Sequence, residues 1–440
     1  MKREIEGKLR VMLSDKADNN VIIVEGARQV GKSYMVSKVL DSQHLPYVSH
    51  DLEKNKKLRR MIDETEDFND FNELMRDQFG LKEGSVLFLD EAQESRNLAN
   101  YVKSFKEDCP GIKVILTGSS MNRLFSNKTR IPVGRTRSLT VFSFSFSEFI
   151  EYVKGEDLAD FLRSPQKKVS ASRHKLMLEL FDVYKVVGGY PEVVIAYKQG
   201  GPYFEILDEI MATLEEDFQR KAEYEPQLFR NVVQGVANHV GSPSKYTHFD
   251  TTKYRSKKIL EAMTGWHIVL EVEQRSFDPH KSNYLPKRYL HDIGVVNRKR
   301  SLALPSISIL DTIEPILRTP LGGLFENAVL LNLITGESAR YSVGTWKKGR
   351  DTDIEVDFII DMPEFDVKIP IECKAALKLK KNHYKNIIHY LKITGLDFGV
   401  VVSAAPLEKI IIDNNITIMN IPIYLASKEN IRAYYKDSLR

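Results

Sequence analysis

Cysteine is scarce: the 440 residues hold only Cys109 and Cys373. Two thiols cannot build a disulfide framework or a four-cysteine zinc site, so a reducing compartment, the cytoplasm, is the expected setting. The ten histidines show no paired spacing with those cysteines. His383 and His389, six positions apart, do not share a helix face, so the sequence gives no zinc signature. Long apolar runs are missing too. No stretch approaches the ~20 residues of a membrane span, and Met1-Lys-Arg-Glu-Ile-Glu6 lacks the apolar heart of a signal peptide, so no membrane partner is expected. An excess of one charge is also absent: a net charge of +4 and a pI near 8.6 suit a nucleic-acid binder and a neutral-surface enzyme equally. Nothing reads as disordered, and the length exceeds what one core organises, so two to four domains are expected.

What the chain does have is a phosphate-binding pattern. The apolar run Val21-Ile-Ile-Val24 leads into Gly26-Ala27-Arg28-Gln29-Val30-Gly31-Lys32-Ser33. Glycines at both ends let successive backbone N–H groups curl around phosphates, Lys32 brings charge to the β- and γ-phosphates, and Ser33 offers a hydroxyl to Mg²⁺. A helix starting near Lys32 adds its positive end. ATP is the expected ligand, with Mg²⁺ as its companion. A second buried run, Val86-Leu-Phe-Leu89, ends in Asp90-Glu91. Asp90 is placed to hold the Mg²⁺ shell and Glu91 to orient the attacking water. A third, Lys113-Val-Ile-Leu116, closes in Thr117-Gly118-Ser119-Ser120, where a hydroxyl such as that of Ser119 can sense the γ-phosphate. Downstream lie Gly134-Arg135-Thr136-Arg137. Arg135 is read either as a structural arginine or as one that stabilises transition-state charge, in its own subunit or across an interface.

These motifs, together with Phe142-Ser-Phe-Ser-Phe-Ser-Glu-Phe149, resemble the predicted AAA-type ATPases of prokaryotes, related to the archaeal ATPase and STAND branch. The resemblance implies an α/β fold with a P-loop αβα core over residues 1–160 and a helical lid over 161–224. Gly188-Gly189-Tyr190-Pro191 matches the family's paired-glycine signature near the lid. From the residues alone, these mark a sharp turn between helical segments near 174–187 and 203–220. The polar, proline-containing stretch Arg163 to Arg173 reads as a mobile connection or an insertion in the lid. Over 225–300, Leu228 to Val240 has helical spacing, Gly241-Ser-Pro243 breaks it, and Thr252 to Met263 forms a second helix carrying Lys253, Arg255, Lys257 and Lys258. Extended runs at 266–270 and 287–290 follow. That is the order of a winged helix, and the corresponding region of these ATPases looks like one. Its basic helix is either a DNA-docking surface or a solvated face.

Residues 301–440 carry a second constellation. Asp357, on Glu355-Val-Asp357-Phe-Ile-Ile360, and Glu372-Cys-Lys374, at the end of the next run, resemble the layout of PD-(D/E)xK nucleases, an α/β restriction-endonuclease-like fold. Alternation puts Glu372 and Lys374 on one strand face. The resemblance implies that Asp357 and Glu372 hold Mg²⁺, that Lys374 orients the nucleophile, and that Glu326 supplies an extra acidic ligand. Lysines 374 to 392 follow without an acidic residue, which suits a phosphate backbone. The whole is expected to bind and hydrolyse ATP, with nucleotide state controlling a nuclease-like domain that acts on DNA. The competing expectation is a STAND-like switch or protein remodeller whose nuclease-like domain binds without cutting. Self-association or a protein partner fits either.

Overall fold

The computed structural model describes residues 2–121, 134–222, 224–275, 285–300, 305–336, 343–349, 354–412 and 415–439. Its first sheet contains β1 (Val21–Glu25), β2 (Tyr47–Asp51), β3 (Val86–Asp90), β4 (Lys113–Gly118) and β5 (Thr136–Thr140), all parallel, in the order β2-β3-β4-β1-β5. Alternate side chains of β1 enter two cores. Ile22 and Val24 pack with helices α1 (Glu6–Ser14) and α2 (Lys32–Ser42), while Val21 and Ile23 pack with α3 (Lys56–Glu64), α4 (Phe68–Phe79) and α5 (Leu98–Glu107). Burial on both faces is why the three central strands read as continuous apolar runs. β4 lies between β1 and β3, so the loops leaving all three open together at the C-terminal edge.

A helical layer follows: α6 (Phe146–Lys154), α7 (Glu156–Arg163), α8 (Ala171–Val187), α9 (Pro191–Gln199) and α10 (Tyr203–Ala222). Ser145 and Glu148 start α6 with a reciprocal capping box. The stretch expected to be a mobile connection is tied down at Gln166, whose backbone N–H and C=O both bond the Tyr434 hydroxyl at 3.0 Å. At the paired-glycine turn, a Cβ on Gly189 would lie 2.3 Å from the Phe144 carbonyl oxygen, and the Gly189 N–H donates to Asp292 at 2.8 Å. The turn therefore clamps two distant segments, which its sequence alone did not show.

The middle segment contains α11 (Pro226–Asn238), a 3₁₀ turn at Tyr246–Phe249, and α12 (Lys253–Gly265). Strands β6 (Val269–Val272), β7 (Gln274–Arg275) and β8 (Lys287–Leu290) and helix α13 (Ile293–Arg300) complete it. β6 and β8 pair antiparallel. β7 instead joins the second sheet, so the division expected at 300/301 does not coincide with the edge of that sheet.

Helix α14 (Pro315–Ile334) precedes β9 (Val343–Lys347), β10 (Glu355–Met362) and β11 (Val367–Lys374). Then come α15 (Lys385–Thr394), β12 (Phe398–Ser403), β13 (Glu408–Ile412), β14 (Ile416–Pro422) and α16 (Lys428–Ser438). The sheet runs β13-β14-β12-β11-β10-β9-β7. β9, β10 and β11 are antiparallel neighbours, and β12 lies parallel to β11. One face packs Phe358, Ile371 and Val400 against α14, and the other packs Ile359 and Val401 against α15. No helix of the described residues is long and apolar enough to cross a membrane.

Candidate functional site

The loop from Gly26 to Gly31 leaves β1 and enters α2 at Lys32. A Cβ at position 26 would sit 2.1 Å from the Val141 carbonyl oxygen, so only glycine fits where the loop passes β5's extension. Gly31 adopts φ of 87°, the left-handed geometry that glycine enters at little cost. Arg3 braces the loop from behind, donating to Val30 O at 2.8 Å and Phe142 O at 2.6 Å and pairing with Glu148 at 3.0 Å. Lys32 Nζ donates to Gly26 O at 3.1 Å and Ala27 O at 2.9 Å, which holds the loop curled. Burial lowers the Lys32 pKa, and the neighbouring Glu91 and Asp90 charges oppose that shift.

The acidic pair ends β3 beside β4. Thr117 Oγ1 donates to Asp90 Oδ1, and Gln93 Nε2 donates to Glu91 Oε2. Glu91 sits at φ of 49°, a left-handed conformation unusual for a carboxylate residue, which turns its side chain out of the strand direction. Gly118 leaves room for Gln93, whose Oε1 would lie 2.0 Å from a Cβ there. The Ser119 and Ser120 hydroxyls are buried and have no hydrogen-bond partner among the described residues. A cradle that a Cβ would fill, a buried ammonium beside two carboxylates, and two unpartnered hydroxyls at one sheet edge fit a Mg²⁺-nucleotide. Thr117 had been read only as one of the hydroxyls that close β4, and Gln93, three positions after Asp90, had been given no role.

Arg28 belongs to a knot of ion pairs. It pairs with Glu53 at 2.5 Å and with Asp217 of α10, while Lys221 of the same helix reaches Glu53 at 3.0 Å and Glu94 at 2.7 Å. Burial pushes the Glu53 pKa up, but Lys221, Arg28 and Arg220 outweigh it and hold the carboxyl below its usual range. Arg135 requires a correction. Thr136 pairs with Val21 and Thr140 with Glu25, so Arg135 lies at the edge opposite the phosphate loop, about 20 Å away at ~3.3 Å per residue. Its guanidinium is bonded to Glu107 at 3.0 Å. An own-subunit role at the γ-phosphate is incompatible with that register.

The C-terminal acidic residues also converge, but around an unexpected partner. Lys287 Nζ, from β8, contacts Glu355 Oε1 at 2.5 Å, Glu326 Oε1 at 3.1 Å and Asp357 Oδ1 at 3.3 Å. Tyr289 donates to Glu326 at 2.5 Å. The other Asp357 oxygen accepts the Cys373 N–H at 2.8 Å, and Lys374 occupies Glu372 Oε1 at 2.7 Å. Among the described residues, no three His, Cys, Asp or Glu side chains form a group that could hold a metal ion. Ammonium groups thus engage one oxygen of each residue expected to bind Mg²⁺, Glu326, Asp357 and Glu372, while Glu372 Oε2 has no hydrogen-bond partner among the described residues. Lys287 and Tyr289 had been visible only as polar members of an extended run.

Burial raises the carboxyl pKa of Glu372 to about 8 and that of Glu326 to about 7, with Asp357 adding to both shifts and the lysines opposing them. Folded-state values above the unfolded ones mean that the native state holds extra protons between roughly pH 4.5 and 8. Their contribution to stability is full below that window and is lost as pH rises through it. Asp357→Asn removes a charge that raises both values, so the fall in urea midpoint between pH 5.5 and 8.5 should become shallower. A wild-type slope in the variant would contradict this coupling.

Residues 18–150 match a family model described as an AAA domain. Residues 178–305 and 321–424 match two domains of unknown function, DUF8612 and DUF4143. An uncharacterized protein of Haemophilus influenzae is 21% identical over 71% of this chain and 76% of its own length. Another, from Methanocaldococcus jannaschii, is 22% identical over 44% of this chain and 39% of its own length. Among solved structures, the Thermotoga maritima RuvB Holliday junction branch migration motor is similar at 12% identity, with a TM-score of 0.32, over 62% of this chain and 90% of that one. The phosphate-loop geometry and the match to an AAA domain fall on the same residues, 18–150, in an α/β chain that carries a further C-terminal sheet domain.

Proposed function

We propose that the protein binds and hydrolyses ATP, and that nucleotide state repositions α10 and the middle segment relative to a C-terminal nuclease-like domain that contacts DNA. Backbone N–H groups from Gly26 to Gly31 and Lys32 hold the phosphates; Ser33 and Asp90 would hold Mg²⁺, which would supply positive charge to neutralise the phosphates. Glu91, steadied by Gln93, orients the water, and Ser119 faces the terminal phosphate.

The observation that carries the control is Arg28. It belongs to the phosphate loop yet pairs with Asp217 of α10. Phosphate charge arriving beside it competes with Asp217, so ATP favours one placement of α10 over another, as a nucleotide-driven change requires. A second link runs from His267, after α12, to Glu25 at 3.5 Å, immediately before the loop. Support for the nuclease-like reading is the order helix, three antiparallel strands, helix, parallel strand across α14 to β12. Support for DNA is a cleft of about 430 Å³ lined by Lys374, Lys378, Lys380, His383 and Asp311, flanked by exposed Lys381 and Lys385.

The test is DNA affinity by fluorescence anisotropy on linear, branched and single-stranded DNA, with and without ATP. Wild-type affinity should change at least ~5-fold with ATP, a coupling of the usual allosteric size, and Lys32→Ala should show no change. Absence of DNA binding, or binding indifferent to ATP, sinks the reading. The second reading, binding without scission, is favoured by Lys287.

A further inference from the structure

We propose that the C-terminal carboxylate cluster is a cation site filled by the protein itself: the Lys287 ammonium takes the place of a divalent ion, so this domain engages its ligand without metal-dependent cleavage. The inference rests on the nuclease-like reading of the second sheet, and deepens it.

The chemistry of the match is stoichiometric. An ammonium has three donors and no acceptor. Glu326, Glu355 and Asp357 each present one oxygen to it, from α14 and from β10. Lys287 is only 1% exposed, so these carboxylates, rather than bulk solvent, surround its ammonium. Mg²⁺ would need close to six oxygens at about 2.1 Å and would keep several waters, in a space Nζ now fills. Two positive centres packed against the same oxygens would repel.

Nor is Lys287 poised to leave. It opens β8, pairs across to Val272 of β6, and forms an isolated bridge with Pro243. Two residues on, Tyr289 bonds the same Glu326. Asn327, next to Glu326, accepts the Leu290 N–H at 2.9 Å and donates to the Leu290 carbonyl at 3.0 Å. On the opposite side, a Cβ on Gly241 would sit 2.8 Å from Glu326 Oε2, so the turn after α11 also closes on this carboxylate. These neighbouring contacts hold the strand that carries Lys287 against Glu326. The cluster therefore also fastens the middle segment to the C-terminal sheet, a second role for carboxylates whose spacing alone suggests a metal centre.

Lys374 shows the same replacement one step away. Its ammonium is spent on Glu372 Oε1 rather than left to steady a nucleophile, and the partnerless Glu372 Oε2 is buried, where a protonated carboxyl is the comfortable form.

The test uses the full-length, nucleotide-free protein and follows free Mn²⁺ by electron paramagnetic resonance. Wild type should show no stoichiometric site, and Asp357→Asn should leave its titration unchanged. Lys287→Met removes the charge while keeping most of the side-chain volume. It should gain one site, at least ~10-fold tighter than any in wild type, and this site should vanish when Asp357→Asn is added. Mn²⁺ should also raise the melting temperature of Lys287→Met and not that of wild type. A stoichiometric wild-type site abolished by Asp357→Asn, or Mn²⁺-dependent DNA cleavage lost in that variant, overturns the proposal. The wild-type arm decides even if Lys287→Met does not fold. Failure of DNA binding would sink the functional reading while leaving this metal result intact, so the two can fail separately.

Discussion

Lys32→Ala should lower ATP affinity by about 100-fold and reduce ATP turnover to background. Hydrogen bonds to charged groups contribute roughly 1.5–3 kcal/mol each, and ~3 kcal/mol corresponds to about two decades in affinity. Lys32 does two things. In the proposed function its ammonium meets the phosphates, and before any nucleotide arrives it holds Gly26 O and Ala27 O at 3.1 and 2.9 Å. Alanine removes the charge and also releases two carbonyls that shape the loop, so pre-organisation is lost together with attraction. The core should survive, because α2 keeps its apolar contacts through Met35, Val36, Val39 and Leu40. Titration with a fluorescent ATP analogue, beside circular dichroism, separates the two effects. Wild-type affinity in a folded Lys32→Ala protein would end the phosphate-loop assignment.

The parts legible in the sequence were those whose signal is local. β1, β3 and β4 announce themselves because both faces are buried, and Gly26 and Gly31 because backbone geometry there tolerates nothing larger. β2 and β5 are edge strands with polar residues such as His50 and Arg137, so they left no apolar run. The relations that matter most are not local. Arg28 finds Asp217 on α10, far away along the chain, and no spacing rule joins them. Arg135 could be read as structural or as catalytic, in its own subunit or across an interface, whereas its distance from its own loop follows only from the register of β5 on β1. Of the carboxylates expected to act together, Glu326 and Asp357 meet at Lys287, where Glu355 joins them, while Glu372 pairs with Lys374 instead. The part of Lys287 could not be read, because it comes from a strand 70 positions before Asp357 and belongs to a different sheet. A buried lysine in a strand is indistinguishable in sequence from a solvated one.

Glu91→Gln should bind ATP within about threefold of wild type yet hydrolyse it at least ~100-fold more slowly, the usual contribution of a positioned general base. The substitution is conservative in shape. Gln93 Nε2 now donates to a Glu91 oxygen, and the amide oxygen of glutamine can accept the same bond, so the side chain keeps its place and loses only its charge. Asp90 keeps its Thr117 partner, which leaves the Mg²⁺ side of the site alone. Unchanged turnover would move the water-positioning role to another residue. Slow turnover makes the variant a tool, because it holds the protein in its ATP form long enough for Arg28 to settle between phosphate and Asp217. Amide exchange across α10 then reports the outcome: faster exchange near Asp217 with ATP bound means that the nucleotide has loosened the knot. DNA affinity locked at the ATP value would mark a switch, in which occupancy is enough. Affinity that decays to the nucleotide-free value although ATP remains bound would mark a motor, for which turnover itself does the work.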